Sequence, residues 1–287
     1  MRYAGGRNRK AGHKGLERPI LTVEEIWRSY DAVESRLTTP VSERMLDLAG
    51  LAPGMRVLDL ATGRGEPALG AARRVGPEGL VLGVELAEPL ARMTMEKAKG
   101  EGLANLEVRV ANAETLDDLA EGSFQAVTAR WGLMYFTDPL AALAQARKAL
   151  APGGAIVAAL WAEPERVPYF TLPRRLLERY RSVPAPAGPE APGTFRYAET
   201  ERIERDFRRA GFAIDHIEEM EIAVYEADCA DAMVGWVRAL GLTRLLNDLP
   251  EEDQLRWERD LTAELERGQR TGGVMQLGGV TRIVRAR

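Results

Sequence analysis

From Arg56 onward, short apolar runs alternate along the chain with segments whose apolar residues recur at helical spacing. Arg56–Ala61, Leu80–Glu85, Leu106–Val110, Ala126–Ala129 and Ala155–Trp161 have the length and composition of buried strands. Between them, Pro67–Val75, Pro89–Gly100, Thr115–Leu119 and Pro139–Leu150 are predicted helices. The strand candidates are not cleanly polar on alternate residues, as expected when helices cover both faces of a sheet. Connectors of this length imply parallel pairing through right-handed crossovers. The pattern therefore predicts an open α/β sheet. Ahead of it, Val23, Ile26, Trp27, Tyr30 and Val33 predict a helix capped by Thr22, with Glu25 completing a capping box. A second helix is expected over Ser42–Ala49, ending at Gly50 before a Pro53-Gly54 turn.

The later half is less regular. Pro164 to Gly193 holds seven prolines and one short helical stretch near Pro173–Tyr180. A helix over Ala198–Ala210, a long strand over Phe212–Tyr225, an almost wholly helical span from Asp228 to Arg267 and a last strand over Gly272–Arg285 follow. Two insertions, at about 162–197 and 227–270, thus interrupt this half. They are expected to pack together as a lid over the carboxyl ends of the strands, where open α/β sheets bind ligands. Residues 1–21 form a separate basic segment with Arg2, Arg7, Arg9, Lys10, Lys14 and Arg18 against a single acid, Glu17. It lacks the apolar stretch of a secretory signal and the periodicity of a transit peptide. It is expected to be a flexible tail, with a basic arm that contacts an acidic partner or covers the site as the alternative.

Composition narrows the chemistry. A formal net charge of −4 argues against a nucleic-acid surface, and no apolar run has the length of a membrane span. Cys229 is the sole cysteine and the histidines are His13 and His216, which excludes an internal disulfide and a histidine- or cysteine-rich metal centre and fits a reducing, cytoplasmic setting. No metal is expected. His216 falls in a strand and His13 in the tail, and neither is assigned chemistry. Trp236 and Trp257 stand at helical spacing among leucines and are expected to be packing residues.

The sharpest local feature is VLDLATGRGEPAL, residues 57–69. A strand ends at Asp59-Leu60-Ala61, a loop with Gly63 and Gly65 follows, and a helix opens at Pro67, whose missing N–H costs nothing in a first turn. The free N–H groups of that helix start suit an anion such as an amino-acid carboxylate. Glu85, at the end of the next strand, suits the two hydroxyls of a ribose. Gly63-x-Gly65 with Ala68 also meets the loose dinucleotide pattern, so a nicotinamide oxidoreductase stays open at this point.

Further segments complete a resemblance to class I S-adenosylmethionine (SAM)-dependent methyltransferases, and within them to the bacterial methyltransferase type 11 group that is similar to the ubiquinone/menaquinone-pathway enzymes. Val57 to Gly65 matches the family's VLD-x-G/A-T/C-G-x-G, and Glu85-Leu86 its second-strand acid. Asn112-Ala113-Glu114 stands where the family has Asp-Ala-Glu, FQAVTARWGLMYFTDP (124–139) matches its fourth strand and following loop, and LAPGG (150–154) its turn before the fifth strand. The resemblance covers about Thr22 to Trp161 and implies a Rossmann-like, seven-stranded, mostly parallel sheet with an antiparallel last strand, over residues 22–287. It further implies that Ala61, Gly63 and Gly65 line the methionine part of SAM with Asp59 close by. Glu85 and Leu86 would hold the ribose and flank the adenine, Asn112 and Ala113 would meet the adenine edge, and Arg130 would lie beside the cofactor, with Tyr30 a further contact. Asn112 keeps an acceptor and a donor for the adenine edge. Gln125 replaces an aspartate and is assigned no function.

Trp131, Met134, Tyr135, Trp161 and Tyr169 are the candidate acceptor pocket. The implied reaction is methyl transfer from SAM, leaving S-adenosylhomocysteine, to an oxygen, nitrogen or carbon atom of a small, partly apolar molecule such as a quinone precursor or secondary metabolite. No histidine or carboxylate presents itself as a general base, and no catalytic residue is named. A macromolecular acceptor, a SAM-binding regulator or partner subunit without turnover, and a homodimer also stay open.

Overall fold

The apolar runs become the centre of one mixed sheet. The computed structural model describes residues 23–184, 188, 190–238, 242–268, 270–271 and 274–287. The expected basic tail, His13 and the Thr22 cap lie outside them. In chain order the elements are α1 (Val23–Ala49), β1 (Arg56–Leu60), α2 (Ala68–Val75), β2 (Leu80–Glu85), α3 (Glu88–Gly100), β3 (Leu106–Val110), β4 (Phe124–Arg130), α4 (Pro139–Ala149) and β5 (Leu150–Trp161). There follow α5 (Pro168–Leu177), α6 (Thr200–Arg209), β6 (Ile214–Ala227), α7 (Ala230–Val237), α8 (Thr243–Asn247), α9 (Glu251–Gly268), β7 (Arg270–Thr271) and β8 (Val274–Ala286).

The sheet runs β3-β2-β1-β4-β5-β8-β6, with the two-residue β7 paired to β8 beside it. β1 pairs in parallel with β2 (Asp59 opposite Gly83) and with β4 (Asp59 opposite Thr128). β8 runs antiparallel to both β5 and β6. This is the seven-stranded, mostly parallel arrangement expected, with one short strand added. Chain order reverses between β1 and β4, and the carboxyl ends of β1, β2 and β4 therefore open around one crevice. Val57, Leu58, Asp59 and Leu60 are all fully buried, because helices cover both faces of β1.

Three expectations need correction. The two N-terminal helices are one, and it runs through Pro40. Proline removes an N–H and crowds the preceding turn, yet the Thr38 and Thr39 hydroxyls donate to the Glu34 and Ser35 carbonyls, and Val41, Met45 and Leu46 are wholly buried. Packing overrides propensity here. Thr115–Leu119 forms turns instead of a helix, since Asn112 bends the chain by accepting the Glu114 N–H on its own side chain (2.9 Å). Pro67 caps α2 from outside instead of opening its first turn.

The two later insertions touch one another. Trp257 on α9 is fully buried and its Nε1–H donates to the Pro173 carbonyl of α5 (3.1 Å). The Tyr180 hydroxyl donates to Asp260 Oδ2 (2.9 Å), and Arg179 pairs with the same carboxylate. Trp236 is likewise fully buried, stacked on Tyr225. Among the described residues, no helix is long and apolar enough to cross a membrane.

Candidate functional site

A cavity of about 450 Å³ lies at the carboxyl ends of β1, β2 and β4. That volume is ample for a nucleoside-sized ligand, within the roughly 300–1,000 Å³ typical of ligand pockets. At one end stand Glu85, Leu86, Leu90, Asn112 and Ala113, and at the other Glu34, Arg130, Trp131 and Tyr135, with Ala61 and Gly63 between.

Glu85 organises the first end. Its Oε2 accepts the Gly63 N–H (2.8 Å) and its Oε1 accepts the Ala87 N–H (2.9 Å). The acid at the end of β2 thus ties down the glycine loop after β1, and each oxygen keeps a lone pair for a ligand hydroxyl. The loop is pinned from outside as well. Thr94 Oγ1 donates to the Gly63 carbonyl (2.9 Å), Lys97 Nζ to the Arg64 carbonyl (2.8 Å), and the Arg64 guanidinium pairs with Asp31 and Glu34 of α1 at 2.6 Å each. Gly63 has φ +56°, a left-handed conformation at which a side chain would be strained. Gly132 serves differently: a Cβ there would stand 2.5 Å from the Ala61 Cβ, so its bareness lets the β4 end close on the β1 end.

Of the residues expected at the cofactor, Ala61, Gly63, Glu85, Leu86, Asn112, Ala113 and Arg130 line the cavity. Asp59 and Gly65 do not. Asp59 is wholly buried beneath the loop, where Oδ1 accepts the Thr128 hydroxyl (2.6 Å), and Gly65 faces Leu69 and Thr94. Tyr30 stands on α1 with its side chain outside the described residues. Of the acceptor candidates, Trp131 and Tyr135 line the cavity, whereas Met134, Trp161 and Tyr169 are buried in the core. Trp161 acts from behind, stacked on Trp131 with centroids 4.6 Å apart and planes 8° from parallel. Among the described residues the cavity is lined from Glu34 to Thr137, and the insertions shape it indirectly. The Tyr135 hydroxyl shares a hydrogen bond with Thr194 (3.0 Å), Gly193 N–H donates to the Met134 carbonyl (2.9 Å) and Arg196 to the Phe136 carbonyl.

Residue-by-residue reading missed Glu34, Arg64 and Glu66. Arg64 lay inside the glycine motif, and its charge was a signal; Glu34 and Glu66 carried none. The start of α2 also differs from expectation. Its Leu69 and Ala71 N–H groups donate to the Gly65 and Pro67 carbonyls, and the Glu66 carboxylate stands beside Gly70. The protein's own acid thus sits at that helix end. His216 bonds to Glu218 (2.9 Å) far from the cavity, and Gln125 Oε1 accepts the Arg56 N–H (2.8 Å), a structural task.

Burial pushes the Asp59 carboxyl up to about 7, against the pull of the Thr128 hydroxyl, and Oδ2 has no hydrogen-bond partner among the described residues. Since the unfolded value is about 3.9, the native state holds a proton that the unfolded state has lost between the two values. Stability is then fully present below pH ~4 and falls by up to about 1.4 kcal/mol per pH unit toward 7. Asp59→Asn cannot titrate. Thermal melts from pH 4.5 to 7.5 are expected to show the parent losing ground steadily to this variant, and a constant gap would mean Asp59 is ionised throughout.

A sheet in this order, with a glycine loop after β1 and an acid ending β2, is the fold of SAM-dependent methyltransferases. The structure resembles a SAM-dependent methyltransferase from Aquifex aeolicus (TM-score 0.51, 20% identity, 69% of this chain and 92% of that one). The family model described as the ubiE/COQ5 methyltransferase family matches residues 24–174, and the chain belongs to that family. It is 31% identical to nocamycin O-methyltransferase of Saccharothrix syringae over 83% of this chain and 89% of that protein. It is 33% identical to aklanonic acid methyltransferase DauC of a Streptomyces species, over 45% of this chain and 58% of that protein. The protein is a SAM-dependent methyltransferase.

Proposed function

We propose that the protein methylates an oxygen, nitrogen or carbon atom of a small, partly apolar molecule, with SAM held along the cavity. The observation that carries this reading is the cavity itself. Apolar flanks from Leu86 and Ala113, a carboxylate at the end of β2, and a bare glycine loop that this carboxylate ties down stand in the order that an adenine, a ribose and an aminoacyl sulfonium require. Bound there, SAM supplies a methyl group on an already positive sulfur.

The residues of the chain bind and orient. Glu85 accepts the ribose hydroxyls while fixing Gly63, Leu86 and Ala113 flank the adenine, and Asn112 reads its edge with its NH₂ and its remaining lone pair. Trp131 and Tyr135 form the wall on the acceptor side, where Trp161 stacking and the Trp131 Nε1–H bond to Thr281 Oγ1 (2.9 Å) hold the indole still. Rigid alignment of acceptor and methyl group supplies most of what an in-line displacement needs. The insertions, by our reading, form a cover that keeps water from the acceptor side. Names such as nocamycin O-methyltransferase and aklanonic acid methyltransferase support a small-molecule acceptor. The lone cysteine supports a cytoplasmic setting, and self-association is read by sedimentation of the purified chain.

Incubation with SAM and a panel of phenols, amines and quinones is expected to release S-adenosylhomocysteine with at least one class, and binding is expected for SAM but not NAD. Tight SAM binding with no release from any class would leave a binding protein instead of an enzyme.

A further inference from the structure

Arg130 is the cavity's distinctive cation. It ends β4, and its guanidinium is held on several sides by neutral groups. Nε–H donates to the Glu66 carbonyl (3.1 Å), Nη1–H donates to Thr38 Oγ1 (2.8 Å), and the Trp131 ring lies with its centroid 4.8 Å from Cζ. The neighbouring cations are neutralised directly, Arg64 by Asp31 and Glu34, Lys97 by Asp31, Arg73 by Glu101. Among the described residues Arg130 has no such partner, and its Nη2 makes no hydrogen bond to them. Burial holds the guanidinium below its usual pKa, opposed by the more distant charges of Glu34 and Glu66. An arginine fixed in one orientation, facing a cavity and lacking a carboxylate, is built for a planar anion. The start of α2, where an anion would otherwise be expected, already has the Glu66 carboxylate beside Gly70.

We propose that Arg130 is the carboxylate anchor of the cavity, gripping a ligand carboxylate between the glycine loop and the acceptor wall. The inference rests on the cofactor site proposed above. A carboxylate can come from the aminoacyl end of SAM or from an acidic acceptor, and both sources present the same chemistry to the guanidinium. Arg130 then sets specificity: it favours the anionic form of whichever ligand reaches Nη2.

Calorimetric titration separates the sources. The parent, Arg130→Gln and Arg130→Lys are titrated with SAM and with decarboxylated SAM, which lacks only the carboxylate. Protein loaded with S-adenosylhomocysteine is then titrated with 1-naphthoate and 1-naphthol. If the cofactor supplies the carboxylate, Arg130→Gln weakens SAM binding about 30-fold while leaving decarboxylated SAM within about threefold, and lysine restores part of the loss. If the acceptor supplies it, both cofactor forms bind all three proteins alike, and the preference for 1-naphthoate over 1-naphthol disappears in Arg130→Gln. An equal loss for SAM and decarboxylated SAM with an unaltered naphthoate preference makes Arg130 merely structural and overturns the proposal, as does no change with any probe. A parent that binds neither form of SAM overturns the cofactor site itself, and the anchor with it.

Discussion

Glu85→Ala is expected to weaken binding of S-adenosylhomocysteine by about 100-fold or more. The carboxylate accepts two backbone N–H groups, from Gly63 and Ala87, and faces the cavity at the end of β2. Truncation leaves both donors without a partner and removes the ligand's acceptor as well. Hydrogen bonds to a charged group contribute roughly 1.5–3 kcal/mol each, and tenfold in affinity corresponds to about 1.4 kcal/mol. Losing two ribose bonds alone therefore reaches the hundredfold range, before the loosened Gly63 loop adds its share. Glu85→Gln keeps the shape but turns an NH₂ toward one of the two N–H donors, so an intermediate loss is expected. Calorimetry on folded variants decides the matter. Parent-like affinity in Glu85→Ala would separate the β2 acid from the ligand altogether.

Trp257→Ala is expected to destabilise the fold by about 3–5 kcal/mol, the usual cost of emptying a fully buried tryptophan site, and to lower the melting temperature by roughly 10 °C. The fully buried indole joins α9 to α5, and its loss also removes a hydrogen bond to the Pro173 carbonyl. Binding of S-adenosylhomocysteine is expected to stay within about threefold, because the described residues that line the cavity fall between 34 and 137. Two measurements test this together. A melting shift under 2 °C would show that the insertions do not depend on this contact, and a collapse of ligand binding would show that the cavity needs them.

What was legible from residues alone follows the range of the forces involved. β1, β2 and the β4 loop were readable because a buried strand with both faces covered must be apolar throughout, and a tight turn at Gly63 needs glycine. Tertiary context decided the rest. Two helices are expected before Gly50, and hydroxyls from Thr38 and Thr39 with a buried lower half make them one through Pro40. Trp161 and Tyr169 looked like pocket residues since an aromatic cluster beside an insertion has no intrinsic direction, and only the stacking on Trp131 assigns Trp161 to the supporting layer. Glu34 and Glu66 were invisible for the opposite reason. A single acid on a charged helix or after a glycine loop carries no signal until the fold brings its partner, Arg64 to the Glu34 carboxylate or Arg130 to the Glu66 carbonyl.

The place of β8 has a consequence for how the molecule is assembled. It is the last of the strands in the chain, yet it lies between β5 and β6 in the sheet. A nascent polypeptide that has emerged only as far as α9 holds two unsealed ladders, one along the Trp161 strand and one along the Tyr225 strand. Both wait for a single hairpin-like segment to zip between them. Such late, long-range closure is slow and leaves sticky edges open meanwhile, so shielding during synthesis should matter more for this chain than for a sheet closed in sequential order.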